Sequence, residues 1–193
     1  MQEQGAYGTL NKILITTREN MDNKRKNNLV LIGMPGVGKS TVGVILAKEL
    51  GFQFVDSDLL IQQSEKKLLK QIIEEKGTDG FIAVENRINR SIKAERTVIA
   101  TGGSVVYGKE AMEHLKEIGK IIYLRISYEC LEKRLHNLRG RGVVRREGQT
   151  LRDIYEERAV LYERYADLVI DEDNKNIEET LQDILEHVKK AVR

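Results

Sequence analysis

The feature that most constrains the fold is a glycine-rich loop, GMPGVGKS over residues 33–40, between an apolar run and a stretch of helical period. It matches G-x-x-x-x-G-K-[ST], in which backbone N–H groups converge on phosphate oxygens. Glycine permits this because it adopts positive φ and lets the backbone approach a ligand closely. The lysine adds a cation, the serine hydroxyl can bind Mg²⁺, and the following helix N-terminus favours negative charge. The candidate nucleotide-binding residues are Gly33, Gly36, Val37, Gly38, Lys39, Ser40 and Thr41.

From about residue 28, short apolar runs alternate with longer segments of helical period, which is typical of parallel strands joined by helices. The runs cover residues 29–32, 53–55, 97–100, 121–124 and 168–170. The helical segments cover about 39–50, 59–75, 80–95, 109–118, 128–138, 150–165 and 176–190. This predicts a three-layer α/β fold, a five-stranded parallel sheet flanked by helices. Residues 1–27 lack sustained periodicity, so we interpret them as a flexible tail or extension before one domain over 28–193.

Composition excludes several classes of protein. The 193 residues include 32 Lys+Arg and 30 Asp+Glu, and a net charge of +2 argues against a dedicated nucleic-acid-binding protein. No run approaches the roughly 18 apolar residues of a membrane span, and the N-terminus lacks an apolar signal segment. Cys130 is the one cysteine of the chain, so an intramolecular disulfide and a cysteine-based zinc site are excluded. We expect a cytoplasmic protein without a nucleic-acid or membrane partner.

The glycine-rich loop is shared by GTPases, transporter ATPases, nucleotide kinases and small-molecule kinases. GTPases read guanine through Asn-Lys-x-Asp, and no Asn-Lys pair of this chain has that aspartate. The Leu-Ser-Gly-Gly signature of transporter ATPases is also missing. These absences argue against the first two classes.

Two carboxylates, Asp56 and Asp58, follow the second apolar run. Ligands of parallel α/β sheets bind at the carboxyl ends of the strands, so both lie where a site is expected. One carboxylate can hold the Mg²⁺ shell while the other orients or deprotonates an attacking hydroxyl. Alternatively, Asp58 caps the helix expected to begin near residue 59.

These motifs resemble the shikimate kinase family. The resemblance rests on GMPGVGKST at 33–41, the Asp-Ser-Asp at 56–58, ATGGS at 100–104, Arg141, and ERAVLY at 157–162, in that order and at similar spacings. It covers about residues 28–190. It implies a five-stranded parallel sheet, a mobile lid at about 138–150, and transfer of the ATP γ-phosphoryl group to a ring hydroxyl of shikimate. We expect a monomeric, ATP-dependent small-molecule kinase that uses Mg²⁺.

On the nucleotide side, the resemblance assigns Lys39 to the phosphates as a catalytic cation. It assigns Ser40 to Mg²⁺ directly and Asp56 to Mg²⁺ through water. Arg141 corresponds to the lid arginine, which binds ATP and stabilises charge on the transferred group. Four arginines crowd the predicted lid, RGRGVVRREG at 139–148, and a solvated basic loop or a nucleic-acid patch is the alternative interpretation.

On the acceptor side, the resemblance assigns Asp58 to the substrate hydroxyls as candidate base. Gly102 and Gly103 correspond to a loop whose backbone lies against the substrate ring, where a side chain would occupy the ligand's space. Arg158 corresponds to an arginine that binds the substrate carboxylate, a role suited to its planar fork.

The acceptor side also departs from the family pattern, which reads Phe-Arg-x-x-Glu where this chain has FIAVE at 81–85. Ile82 replaces an arginine that binds the carboxylate, and losing one such contact costs about 1.5 to 3 kcal/mol. Arg87 lies about 140° around a helix from Ile82, so it is a poor substitute. Ser104, Thr78 and Gly142 stand where the family usually has glycine, glutamate and proline. Two alternatives therefore stay open, a kinase of another small hydroxylated metabolite and a nucleotide-binding regulator without transferase activity.

Overall fold

The structure, a computed structural model, describes residues 26–137, 144 and 146–191. The strands are β1 (Asn28–Ile32), β2 (Gln53–Asp56), β3 (Thr97–Ala100), β4 (Gly119–Arg125) and β5 (Leu168–Asp171). The helices are α1 (Lys39–Leu50), α2 (Ser57–Glu65), α3 (Leu69–Asn89), α4 (Lys109–Ile118), α5 (Tyr128–Asn137), α6 (Leu151–Tyr165) and α7 (Ile177–Ala191). One 3₁₀ turn covers Val105–Tyr107.

The five strands form one parallel sheet in the order β2-β3-β1-β4-β5. In β1 the consecutive residues Val30, Leu31 and Ile32 are all fully buried, and so are Ile121 and Ile122 of β4. Successive side chains of a strand point to opposite faces, so both faces of the sheet are covered. The predicted α/β fold with a five-stranded parallel sheet is therefore confirmed.

Most helix boundaries lie within a residue or two of those predicted, because clear local signals set them. Gly38 precedes α1 in a left-handed conformation, with φ 110°. Gly51 ends α1 with φ 64°, and its N–H returns to carbonyl oxygens of the last turn. Asn176 and Glu179 cap the start of α7 reciprocally.

The region between β2 and β3 differs from the prediction. Helix α2 begins at Ser57 with Asp56 as its N-cap, so Asp58 is not the capping residue. It ends early because Lys66 adopts a left-handed conformation, with φ 54°. Helix α3 then joins the end of the first expected segment to the second, ends at Asn89 rather than near residue 95, and bends at Gly77, which has φ 69° and ψ 178°. Glycine permits that bend at low conformational cost.

Helices α2 and α3 bury a second apolar cluster, separate from the main core around the sheet. It contains Ile61, Ile72, Phe81, Val84 and Ile88. Val144, from the predicted lid, packs against this cluster. The cluster holds α3 in place beside the carboxyl end of β2.

Several predictions fall on residues outside the described ranges. The proposed tail is outside them up to residue 25. In the predicted lid, residues 138–143 and 145 are outside them, including Arg141 and Gly142. No helix within the described ranges is long and apolar enough to cross a membrane.

Candidate active site

The motifs meet at the carboxyl edge of three adjacent strands. β3 lies between β1 and β2, with Ala100 opposite both Leu31 and Asp56. The glycine-rich loop leaves β1, the aspartate pair leaves β2, and Gly102 follows β3. Parallel pairing thus brings together residues separated by up to 69 positions, as the sequence predicts for a site of this fold.

The glycine-rich loop is held in a conformation that only glycine accommodates. Gly33 has φ 144°, and a β-carbon there would lie 2.6 Å from the carbonyl oxygen of Leu124. Lys39 is buried at the centre of the loop, where its Nζ donates to the carbonyl oxygens of Gly33 (2.8 Å) and Met34 (2.9 Å). The loop therefore keeps an ammonium group beside its own backbone.

Ser40 and Asp56 face each other at the start of α1 and the end of β2. The hydroxyl of Ser40 donates to Oδ2 of Asp56 over 2.7 Å. The other oxygen of Asp56 accepts from the backbone N–H of Asp58 (2.9 Å), which fixes the carboxylate. A hydroxyl and a carboxylate are oxygen donors of the kind that Mg²⁺ prefers, so this pair fits the predicted ion.

Gly102 lies between two carboxylates. A β-carbon at residue 102 would lie 2.2 Å from Oε1 of Glu85 and 2.9 Å from Oδ1 of Asp58. The Gly102 N–H donates to the hydroxyl of Ser57 (3.2 Å), which fixes the loop on α2. Asp58, Glu85 and the Gly102 backbone therefore share one small space.

Gly103 ties this loop to the glycine-rich loop and to α6. A β-carbon at Gly103 would lie 2.7 Å from two ring carbons of Pro35. The hydroxyl of Tyr162 donates to the carbonyl oxygen of Gly103, while its ring stacks on Tyr123 with centroids 5.0 Å apart. The sequence does not reveal this hydrogen bond.

Arg158 projects from α6 into the same region. It is only 1% exposed, and its Nε donates to the hydroxyl of Tyr107 (3.3 Å). Nη2 donates to the carbonyl oxygen of Val144 (2.6 Å), whereas Nη1 has no hydrogen-bond partner among the described residues. A buried guanidinium that keeps one N–H donor available is suited to bind an anionic ligand group.

Position 82 offers no cation. Ile82 is half-buried and is not among the described side chains that pack on either apolar cluster. Arg87, which lies on the same helix, donates to Glu65 over 2.7 Å and is about half exposed. The expectation that Arg87 does not compensate agrees with this geometry.

Glu85 is a residue whose role the sequence did not reveal, although it belongs to the FIAVE segment. It is 1% exposed, and neither of its carboxylate oxygens accepts a hydrogen bond from the described residues. Burial raises the pKa of Glu85 to about 7, and the nearby carboxylate of Asp58 adds to the rise. The Ser104 hydroxyl, Arg158 and Lys39 oppose it.

A cavity of about 530 Å³ opens beside the glycine-rich loop. Its wall includes Thr41, Arg134 and the segment 175–178, which follows β5. Arg134 donates to the carbonyl oxygens of Val37 and Glu172, each over 3.1 Å, and so joins the loop to that segment. Arg134 was not predicted, because an arginine on a helix carries no motif of its own.

The parallel sheet carries the glycine-rich loop, an oxygen-donor pair lies beside that loop, and a separate space is lined by carboxylates. This combination defines a P-loop phosphotransferase. The family model for shikimate kinase matches residues 35–189. The chain belongs to the shikimate kinase family, whose members phosphorylate a hydroxyl of a small molecule.

Individual relatives agree with this placement. Shikimate kinase 2 of Yersinia pseudotuberculosis is 35% identical over 152 residues, which cover 74% of this chain and 85% of the relative. Shikimate kinase of Sulfurihydrogenibium sp. is 34% identical over 164 residues, covering 84% and 98%. The structure of Acinetobacter baumannii shikimate kinase in complex with shikimate superposes with a TM-score of 0.76 at 31% identity, covering 87% and 96%. Aquifex aeolicus shikimate kinase gives 0.72 at 28% identity, covering 86% and 98%.

Proposed function

We propose that this protein transfers the γ-phosphoryl group of ATP to a hydroxyl of shikimate, giving shikimate 3-phosphate. The observation that carries the proposal is the placement of Asp58 beside Gly102, next to the loop that holds Lys39. Family membership supports the same reaction.

On the nucleotide side, the backbone of residues 33–40 and the ammonium of Lys39 would bind the phosphates. Ser40 and Asp56 would hold Mg²⁺, which offsets negative charge on the phosphates when it is bound. To reach them, Lys39 would exchange its hydrogen bonds to the carbonyl oxygens of Gly33 and Met34 for contacts to the phosphates. Arg141 of the lid would add a further positive charge to the transferred group.

The adenine base would occupy the cavity beside Arg134. This cavity lies next to Gly36 and Gly38 of the loop and is bounded by the segment that follows β5. A guanidinium against a flat base contributes favourable stacking.

On the acceptor side, Asp58 would orient the attacking hydroxyl and accept its proton. The hydroxyl oxygen forms a bond to the γ-phosphorus while the bond from that phosphorus to the leaving ADP oxygen breaks. Gly102 and Gly103 would let the acceptor lie against the backbone, and Arg158 would bind its carboxylate. Closure of the lid would exclude water, so that hydrolysis does not compete with transfer.

A second candidate acceptor is a different small hydroxylated acid, and Ile82 is the observation that favours it. With one arginine at the carboxylate instead of two, shikimate would lose about tenfold to a hundredfold in affinity. The fold and the nucleotide side are the same for both acceptors. The partners we infer are small molecules, and we infer a monomeric, cytoplasmic enzyme.

The direct test is release of ADP from MgATP in the presence of shikimate, with the phosphorylated product identified by mass spectrometry. We expect Asp58→Asn to lower kcat by about a hundredfold or more, because it removes the candidate base. Glu113→Asn, on the exposed face of α4, serves as the matched control. Equal turnover of the Asp58→Asn variant and the wild type would refute the assignment of Asp58.

A further inference from the structure

Tyr107 contacts Arg158 with both its hydroxyl group and its ring. The hydroxyl accepts a hydrogen bond from Nε of Arg158 over 3.3 Å, and the guanidinium carbon of Arg158 lies over the ring, 5.2 Å from its centre. A cation is attracted to the face of an aromatic ring within about 6 Å of the centre. Two different interactions with one tyrosine therefore hold the guanidinium.

These contacts determine which donor of Arg158 remains for a ligand. Nε donates to the hydroxyl of Tyr107 and Nη2 donates to the carbonyl oxygen of Val144, whereas Nη1 has no hydrogen-bond partner among the residues that the structure describes. A planar guanidinium that is held at two of its nitrogens cannot rotate, so Nη1 keeps one direction. Because the side chain is already ordered, it loses little conformational freedom when it binds an anion.

Tyr107 is itself held by the main core. It ends the 3₁₀ turn Val105–Tyr107, in which the side chains of Val105 and Val106 are buried in that core. Its N–H donates to the carbonyl oxygen of Ser104 over 3.0 Å. The fold therefore sets the position of the Tyr107 hydroxyl, and this hydroxyl in turn fixes the guanidinium of Arg158.

The orientation of Arg158 matters because helix α3 offers no second guanidinium to the acceptor. Residue 82 is an isoleucine, and Arg87 is engaged with Glu65 on the exposed side. The carboxylate of shikimate is assigned to Arg158 alone. An arginine that acts without a partner binds well only if it does not have to be ordered by the ligand.

We propose that Tyr107 is a positioning residue of the acceptor site, whose hydroxyl and ring orient the guanidinium of Arg158 and so set the preference for an acceptor that carries a carboxylate. This inference rests on the proposed phosphotransferase function. It names the residue that allows one arginine to serve where Ile82 provides none. Proton transfer to Asp58 is not affected, so the role of Tyr107 concerns binding of the acceptor and not the chemical step.

The test begins with Tyr107→Phe, which keeps the ring and removes the hydroxyl that accepts from Nε. We expect KM and the calorimetric Kd for shikimate to rise by about fivefold to tenfold. We expect kcat and the Kd for MgATP to change by less than about threefold, because neither depends on the carboxylate contact. Tyr165→Phe, which changes a half-buried tyrosine at the end of α6, is the matched control and should leave all four values unchanged.

Two comparisons separate a positioning role from a general structural one. The methyl ester of shikimate lacks the carboxylate charge, so Tyr107→Phe should change its Kd by less than about twofold. Arg158→Lys keeps the positive charge but has no Nε. In that background Tyr107→Phe should also have little effect, because the two residues act through one hydrogen bond.

The outcomes distinguish this proposal from the proposed function. An unchanged Kd for shikimate in Tyr107→Phe, or an equal loss for shikimate and its ester, overturns the positioning role and leaves phosphotransfer standing. A wild type that binds shikimate without releasing ADP overturns phosphotransfer to shikimate, while the Kd values still decide the role of Tyr107. A wild type that neither binds nor phosphorylates shikimate overturns both. If Arg158→Lys does not fold, the comparison of shikimate with its ester decides.

Discussion

Oε1 of Glu85 lies 2.2 Å from the point that a β-carbon of residue 102 would occupy. Asp58 approaches the same point from another side, at 2.9 Å. The space between the two carboxylates is therefore available only while residue 102 is a glycine.

Substitution of Gly102 by alanine should damage the acceptor side selectively. The added methyl group pushes Glu85 and Asp58 aside, and a displacement of about 1 Å at a catalytic group lowers the rate by roughly a hundredfold. We expect kcat/KM for the acceptor to fall by about that factor while the Kd for MgATP changes less than threefold. Steady-state kinetics and calorimetry measure the two quantities. An equal loss on both sides would show that the loop has been displaced as a whole.

Asp56→Asn should separate the Mg²⁺ role of this residue from its structural one. Asparagine is as good an N-cap as aspartate, so α2 should keep its start and the melting temperature should change little. The lost charge beside Ser40 should raise the Mg²⁺ concentration for half-maximal activity by about tenfold to a hundredfold. Titration with Mg²⁺ at saturating ATP measures this effect. An unchanged requirement for Mg²⁺ would remove Asp56 from the metal site.

Ile82→Arg should move the acceptor preference toward shikimate. The guanidinium can pair with Glu85 one helical turn away and offer a second contact to a carboxylate. One such contact is worth about 1.5 to 3 kcal/mol, so KM for shikimate should fall by roughly tenfold to a hundredfold. Ile82→Lys is the control, because it adds the charge without the planar fork. An Ile82→Arg enzyme no better on shikimate than wild type would show that residue 82 does not reach the acceptor.

Stability should depend on pH through Glu85. Its pKa rises from 4.5 to about 7 on folding, so between these values the folded protein binds the proton and the unfolded chain does not. The contribution of Glu85 to the free energy of unfolding therefore falls as the pH rises through this window, by about 3 kcal/mol in total. Glu85→Gln does not titrate, so its stability relative to wild type should increase by about 2 to 3 kcal/mol from pH 5 to pH 8. Urea unfolding at both pH values tests this, and parallel curves would contradict it.

The parts of the molecule that could be predicted are those that local sequence determines. The glycines of the loop at 33–40 determine its conformation. Five buried apolar runs are enough to indicate a parallel sheet that is covered on both faces. Asp56 and Asp58 were correctly placed near the loop, because the carboxyl ends of parallel strands share one edge.

The parts that could not be predicted depend on what lies opposite a residue in space. Glu85 stands on a helix with ordinary amphipathic spacing, and only the tertiary structure reveals that its carboxylate is buried beside Asp58 and the Gly102 backbone. The contacts of Arg134 join segments 38 and 97 residues away. The break at residues 66–68 was missed, and the interruption expected between residues 75 and 80 is only a bend at Gly77, because Ile72 and Phe81 on its two sides are buried in the same cluster.

The contact between Pro35 and Gly103 couples the phosphate loop to the loop that follows β3. Since the backbone after β3 presses on the phosphate loop, a shift of either one disturbs the other, and neither is free to adapt to a new substrate. Helix α3 is attached to the segment after β3 as well, because a β-carbon at Gly108 would lie 2.6 Å from Oδ1 of Asn86, which also accepts from the backbone N–H of Ala111. Residue 82 of the same helix is half-buried and packs on neither apolar cluster of the described residues, so a substitution there can change the acceptor without disturbing the phosphate loop.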